Sequence, residues 1–596
     1  MTIKQQYNGE TRLFDLLERR KRIAPNEAVF NYKEKGAWKK HYIDEYIEKA
    51  TLISYALMHL GVAKGENIAL ISTGRPEWNY IDMGVQQMGG VLVPIYPTIS
   101  EEDYFYILSN ADVRYIFLES HDLLRKINNI LPKLPQIKQI FTIVSCPENK
   151  SLDTLYQLGK DNPAEEQLKI IKAGIHGDDV ATMIYTSGTT GTPKGVMLSH
   201  KNILTNVLGI KDSPESDWNR ALSWMPLCHI YERMMNYLYQ FLGMEISYAE
   251  SLAKIADNAQ ETNPYIMAAV PRFIEKMYDK LFRKGEKLSG TKKKIFDWAI
   301  NLGFQYDVNS KNLSLLYKAK RAIANRLVYK QIRQSLGSNF KMLVSGGASI
   351  QPRLTRFFSC VGFDLYEGYG LTECAPLVAV TDSYSPNGRK IGSVGRALPG
   401  IEVKIDPDTN EILCRGDNVM KGYFTAPELT ASCIDSNGWF HTGDTGRFDS
   451  DKCLYLTGRT KSMFKTSMGK FVNPEFIEEK FKESPFILDM MVVGEGQKFA
   501  AAIIAPDFDM LKDWAKRHGV SAQTKEELVQ DKTVLARYQK VLDKYNAQLG
   551  NTEQVKRFHL VTDTWSESNK MLTPTLKIRR KNIQAAYRLE IENLFK

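Results

Sequence analysis

The sequence predicts an α/β protein. A large N-terminal domain of parallel-type sheets with helices, carrying a β-rich subdomain, is followed by a small α/β domain at the C-terminus. Three observations predict it. Short apolar strand candidates alternate with helical segments early in the chain, strand ends run into glycine-containing turns in its middle, and a polar, charged junction at Gly458–Lys461 precedes a last stretch with its own alternation. At 596 residues the chain also exceeds one ordinary core, since domains run to about 100–200 residues.

After an N-terminal stretch with a helical pattern, Asn67–Ser72, Val91–Tyr96, Tyr115–Leu118 and Ile140–Val144 are strand candidates with helical segments between them, the mark of crossover units and a mostly parallel sheet. Residues 276–337 lack strand-like runs and are rich in Lys, Leu, Ala and Arg, which predicts a helical insertion. Lys341–Ser345 and Asp364–Tyr366 then lead into the turns SGGAS and YEGYGLTE, and ligands sit at such strand ends in open α/β sheets. From about 392 to 457, short apolar runs split by Gly, Asp and Pro predict the β-rich subdomain. Strands at Met490–Val493 and Ala500–Ala505 and a charged helix at Glu526–Gln548 predict a compact α/β unit. The expected division is 1–458 and 459–596.

Hydrophobic residues at 43% and charged residues at 25% suit a globular chain. The N-terminal residues show no signal-peptide run, and no segment reaches the ~18 apolar residues of a spanning helix, so a cytoplasmic enzyme is expected. The seven cysteines are scattered and form no CxxC pair, which argues against a disulfide framework or a zinc site. Between Lys276 and Arg333 there are fifteen basic and four acidic residues, a local +11 that matches the whole chain's +10. Such a segment can meet phosphates of a nucleotide, a nucleic acid or an anionic membrane, or can be a solvated helical face.

Residues 181–195, ATMIYTSGTTGTPKG, run from an apolar strand into a loop of glycines, hydroxyls and one lysine. Backbone amides at Gly188, the hydroxyls of Thr186, Ser187, Thr189 and Thr190, and the charge of Lys194 are phosphate-binding chemistry. A Walker loop is excluded, because Pro193 and Gly195 stand where its second glycine and Ser/Thr belong. The run YTSGTTGTPKGVMLSH resembles the signature loop of the adenylate-forming enzymes: acyl-CoA synthetases, peptide-synthetase adenylation domains and luciferases. The resemblance continues in order through PLCHIYER (Pro226–Arg233), VPRFIEKMY (Val270–Tyr278), SGGAS, YEGYGLTEC, NGWFHTGD (Asn437–Asp444), GRTK and LTPTLKIRR (Leu572–Arg580).

The resemblance implies roles residue by residue. Glu373 with the Thr186 hydroxyl would hold magnesium. Gly346, Gly347 and Ala348, with Glu367, Gly368, Tyr369 and Gly370, resemble an adenine pocket, and Thr372 would lie near the α-phosphate. Asp444 resembles the acceptor for the ribose hydroxyls and Arg459 its cationic companion. Lys577 aligns with a mobile lysine that stabilises charge during adenylation, and His229 with an aromatic position beside the acyl group. The C-terminal domain would be mobile, turning about Lys461, and the loop Lys465–Phe471 with Gly469 would line a pantetheine tunnel. Asn437 and Ser462 depart from the Asp common in the family.

The implied reaction consumes ATP, a fatty acid and coenzyme A in two half-reactions through acyl-AMP. The segments VPRFIEKMY and RLVYKQIRQSLG with the insertion between them resemble long-chain members, and the stripe Ile230, Met234, Leu238, Leu242 is either pocket wall or core. A basic insertion suits peripheral contact with an anionic membrane through 276–333. Two other readings share these residues: transfer to a carrier-protein thiol, and a degenerate nucleotide- or lipid-binding scaffold. No base-stacking motif is visible in the insertion, so no nucleic acid partner is expected; oligomeric state stays open.

Overall fold

The computed structural model describes residues 9–147, 149–187, 193–210, 219–309, 313–382, 388–460, 463–467, 470–573 and 576–596. The class is α/β, as the alternation predicts. Among the described residues two large sheets form the N-terminal part. One has seven strands, with Val91–Ile95, Asn67–Ile71, Tyr115–Leu118 and Gln139–Thr142 parallel in that spatial order, and the hairpin Val180–Ser187/Pro193–Ser199 beside Val91–Ile95. The other has nine, and its parallel centre is Asp364–Gly370, Met342–Ser345, Ile266–Ala269, Arg220–Ser223 and Glu245–Tyr248. Of these strands Val91–Ile95, Tyr115–Leu118 and Ile266–Ala269 are short, apolar and buried along their length, as strands of a parallel sheet covered on both faces are.

The helix Ile230–Phe241 lies in the main core with all of its residues buried. Ile230, Met234, Leu238 and Leu242 all belong to that core cluster. Most of its polar side chains are paired internally, while Glu232 Oε2 and Tyr239 Oη are buried without a hydrogen-bond partner among the described residues. Arg233 is paired with Asp82 at 2.5 Å, each side chain 1% exposed, and also donates to the Thr182 hydroxyl and, through Nε, to Tyr237 Oη. Tyr237 and Gln86 donate to the same aspartate. Burial alone would lower the Arg233 pKa, but Asp82 and Tyr237 more than offset it. This network ties the helix to Pro76–Gln87 and to strand Val180–Ser187 of the seven-stranded sheet.

Four antiparallel strands follow: Glu402–Ile405, Glu411–Arg415, Phe440–Phe448 and Leu454–Arg459. The last part of the chain has its own sheet of Ile487–Val493, Ala500–Pro506 and Val555–Leu560. Its first two strands are buried on both faces, while Val555–Leu560 leaves its middle residues largely exposed. Met490, Val492, Ala502 and Ile504 serve one cluster, while Met491, Val493, Ala501 and Ile503 serve the other, the period of two that a pleated strand imposes. The helix expected over Glu526–Gln548 is two helices, Lys525–Gln530 and Lys532–Asn546. Asp531 breaks it by taking an extended ψ of 128° and accepting from the amides of Thr533 and Val534 as an N-cap.

This last unit docks on the helix Pro271–Glu286. Arg272 donates to the Leu488 carbonyl at 2.9 Å and lies 3.8 Å from Asp489. Arg283 reaches Asp507 at 2.6 Å and Asp509 at 3.1 Å. Arg353 donates to the Glu483 carbonyl at 3.1 Å. Among the described residues no helix is long and apolar enough to cross a membrane.

Candidate active site

The hairpin Val180–Ser187/Pro193–Ser199 sets Thr186 opposite Lys194 and Ser187 opposite Pro193. Gly188, Thr189 and Thr190, which follow Ser187 in the sequence, lie outside the described residues, as does the Ser187 side chain. Lys194 Nζ stands 5.5 Å from the centroid of the Tyr423 ring. Tyr423 arrives on the short strand Gly422–Tyr423, which pairs with the second arm of the hairpin, and its hydroxyl donates to Glu373 Oε1 at 2.8 Å. Glu373 is half-buried in the turn Thr372–Cys374, which packs against the same arm. Thr186, Lys194, Tyr423 and Glu373 thereby belong to one corner.

A magnesium ion fits this corner. It takes one or two protein oxygens and fills its remaining positions with water and phosphate. Glu373 Oε2 accepts no hydrogen bond among the described residues, and Thr186, whose hydroxyl is a hard oxygen donor, pairs across the hairpin with Lys194. No group of three or more His, Cys, Asp or Glu among those residues forms a cage that would favour a cation needing a full protein shell. Tyr423 was not foreseen: one aromatic after a glycine in KGYF has no periodicity to mark it. Tyr423→Phe should raise the KM for magnesium-ATP roughly ten- to a hundredfold with a smaller change in kcat, the scale of one hydrogen bond to a charged group. An unchanged KM in initial-rate measurements would remove Tyr423 from the site.

The turns that follow strands Met342–Ser345 and Asp364–Gly370 sit side by side, since those strands pair in parallel with Ser345 opposite Glu367. Gly346 lies against the Tyr231 ring, and Gly347 has φ +84°, a conformation side chains resist. Ala348 follows in the same turn. Gly370 must lack a side chain, because a Cβ there would fall 1.9 Å from the Pro376 carbonyl oxygen. Gly368 lies beside Leu377. The Glu367 side chain is buried and accepts from the Thr355 hydroxyl at 3.0 Å, in the core behind the turn; burial pushes its carboxyl up to about 8. Thr372 is half-buried at the start of its turn.

Tyr369 carries the nine-stranded sheet to the four-stranded one: its hydroxyl donates to Asp444 Oδ2 at 2.8 Å. Asp444 and Arg459 face each other across paired strands, with Arg459 Nε 2.9 Å from Asp444 Oδ1. Burial raises the Asp444 carboxyl against the pull of Arg459 and Tyr369, and Asp444 in turn holds the Arg459 pKa up.

Lys577 enters from the last unit on a tight turn closed by Thr573 N–H to the Lys577 carbonyl at 2.7 Å and by the Leu572/Ile578 bridge. It lies within electrostatic range of Arg459, Asp444, Glu475 and His229. The side chain is exposed to solvent, although many protein atoms lie around its ammonium. Their partial desolvation of the charge, followed by repulsion from Arg459, lowers its pKa to about 8 against the pull of Asp444 and Glu475. His229 caps the helix Ile230–Phe241, its Nδ1 accepting from Tyr231 N at 3.2 Å, which leaves the proton on Nε2. Burial, with Lys577 adding to it, lowers its pKa to about 4 and keeps it neutral. Glu475, just past the junction, is a further residue that sequence reasoning missed.

Lys461, Ser462 and Gly469 lie outside the described residues. Lys465 is on the strand Phe464–Lys465, paired with Phe471–Val472, and its carbonyl accepts from Gly496 N at 2.9 Å. That hairpin is tied through the Gly496 amide to the turn of its own unit.

A hydroxyl-bearing strand end, a half-buried carboxylate and cations delivered from two parts of the chain suit an enzyme that handles an anionic nucleotide. The chain belongs to the AMP-binding enzyme family, whose model matches residues 17–424, while that of the AMP-binding enzyme C-terminal domain matches 462–596. It is similar to the long-chain-fatty-acid–CoA ligase FadD15 of Mycobacterium bovis, 29% identical over 578 residues, 96% of this chain and 95% of that one. Fatty acyl-CoA synthetase A of Dictyostelium discoideum is 30% identical over 587 residues, covering 92% and 84%. Among solved structures, the anthranilate CoA ligase AuaEII in complex with anthranoyl-AMP superposes with a TM-score of 0.73 at 18% identity, covering 99% and 100%.

Proposed function

We propose that the protein activates a long-chain fatty acid with ATP to acyl-AMP and pyrophosphate, then transfers the acyl group to coenzyme A, releasing AMP. The observation that carries this reading is the placement of Lys577 beside the Asp444–Arg459 pair and His229. In the first half-reaction a carboxylate oxygen of the acid bonds to the α-phosphorus as the bond to the pyrophosphate oxygen breaks. Lys577 offsets the charge that gathers on the α-phosphate, and Thr372 donates to it. Tyr369 and the turn Gly346–Ala348 would border the adenine, with Asp444 accepting from the ribose. Glu373 and Thr186 would hold magnesium, whose charge offsets that of the phosphates. In the second half-reaction the thiol sulfur attacks the acyl carbonyl, and the carbon–oxygen bond to AMP breaks.

We divide the chain near 458/459, where the strand Leu454–Arg459 of the four-stranded sheet ends, with Lys461 as hinge and Lys465 and Gly469 near the thiol path. The enzyme would act in the cytoplasm, with 276–333 touching an anionic membrane. The test is release of AMP and pyrophosphate with palmitate or acetate, with and without coenzyme A. Palmitate-dependent AMP release that needs coenzyme A for turnover is expected; turnover indifferent to coenzyme A would point to another acceptor.

The Lys577 pKa supplies a pH dependence. The cation is the working form, so it is present below about 8 and lost above. At low ATP, kcat/KM for adenylation should fall as pH rises through that value, and Lys577→Arg should move the limb out of reach, since guanidinium stays charged. A wild-type profile that stays flat well above pH 8 would contradict the role.

A further inference from the structure

One helix of the insertion turns aliphatic side chains to solvent. Leu315 is 84% exposed, Leu316 66%, Ile323 55% and Leu327 46%. Exposed apolar residues scattered singly need no account, but these four sit on Leu315–Ala324 and the π-helical turn Asn325–Tyr329 that continues it. Leu315, Ala319, Ile323 and Leu327 are spaced by four, which makes one stripe along the helix. The opposite side is pinned: Tyr317 donates to the Leu302 carbonyl at 2.7 Å, Arg321 to Cys360 at 3.0 Å and Tyr329 to Ala299 at 2.7 Å. Ala324, Tyr329 and Ile332 are buried in the core beneath.

Cations flank the stripe. Lys318, Lys320, Arg326 and Lys330 are exposed, and among the described residues none of them is in an ion pair. The sequence holds no Asp or Glu between Asp307 and Asp364. The earlier part of the basic segment differs. Arg283 is committed to Asp507 and Asp509, and Lys293 to Glu286 and Asp297.

We propose that the face formed by Leu315–Ala324 and Asn325–Tyr329 docks on an anionic lipid bilayer, the helix lying in the plane of the headgroups with Leu315, Leu316, Ile323 and Leu327 inserted. This rests on the membrane contact proposed above and confines it to one face. Basic side chains interleaved with aliphatic ones, on a helix of modest overall hydrophobicity, are the composition of an interfacial helix. The stripe lacks the aromatic anchors that dominate protein–protein contacts.

The test is co-sedimentation of the full chain with phosphatidylcholine vesicles and with vesicles that also contain phosphatidylglycerol. The wild type should pellet with the anionic vesicles, less so as salt rises. Each cation near such a surface multiplies the partition coefficient by roughly five. A variant with Lys318→Glu, Lys320→Glu, Arg326→Glu and Lys330→Glu should therefore lose it by at least about a hundredfold. A second variant, Leu315→Ser, Leu316→Ser, Ile323→Ser and Leu327→Ser, should lose binding at unchanged net charge. Both should keep the wild-type unfolding midpoint, since none of the eight side chains is buried.

Variants that pellet like the wild type, or equal binding to neutral vesicles, would overturn the proposal. So would a concentration-dependent dimer, seen by light scattering and abolished by the serine variant, which would assign the face to a second copy. Binding is measured without substrate, so vesicle binding with no turnover on any fatty acid would overturn the enzymatic reading and leave the docking face standing.

Discussion

Lys577→Ala should slow acyl-adenylate formation by about 10²–10³-fold, the effect of removing one preorganised charge donor from a developing anion. Thioester formation from acyl-AMP supplied directly should change far less. The asymmetry follows from where the lysine sits. It stands on a turn of the last unit, next to Asp444 and Arg459 of the four-stranded sheet and His229 at the start of the helix Ile230–Phe241, so its ammonium reaches the site only while the two parts are docked as here. Pyrophosphate exchange reports the first half-reaction, and coenzyme A consumption from preformed acyl-AMP the second. An equal loss in both would mean that Lys577 holds the docked arrangement together rather than serving the chemistry.

The second large effect is on stability. Asp82→Ala should cost about 3–5 kcal/mol, because it leaves the Arg233 guanidinium buried without its counter-charge. Every neighbour of that aspartate also loses a partner, since Arg233, Tyr237 and Gln86 all converge on it. Adding Arg233→Met should restore much of the loss: removing both charges ends the desolvation penalty that removing one creates. The thermal midpoints of the two single variants and the double one give the coupling. A double variant as unstable as Asp82→Ala would mean that the pair matters through its hydrogen bonds to Thr182 and Tyr237 rather than through its charge.

Much of the architecture was legible because strands buried on both faces read as continuous apolar runs. Tyr115–Leu118 is found at the residues the pattern marks, and the other early strands within a residue or two. The break at Asp531 was not legible, since an aspartate inside a charged helical pattern looks like surface until its φ and ψ are known. The site is legible only in part for a related reason. Glycine- and hydroxyl-rich turns announce phosphate chemistry by composition, whereas Tyr423 and Glu475 matter through partners about 50 to 230 residues away in the chain and carry no local pattern. The stripe Ile230, Met234, Leu238, Leu242 has the spacing of a pocket wall and of a core helix alike, and only burial separates the two.

The strand order bears on how the chain is made. Phe30 pairs with Ile246 in the nine-stranded sheet, and Gly422 with Met197 in the seven-stranded one. Neither large sheet is complete until residues far downstream have been synthesised, and such non-local pairing is slow to form. The first 420 or so residues therefore leave the ribosome with open sheet edges, a surface on which nascent chains aggregate or recruit chaperones. The last unit closes its sheet from residues 487–560 alone, so it can fold as soon as it emerges. Lys577 joins Asp444 and Arg459 last, after both sheets have closed, so on the role proposed for it a partial chain would lack its charge until the fold around it exists.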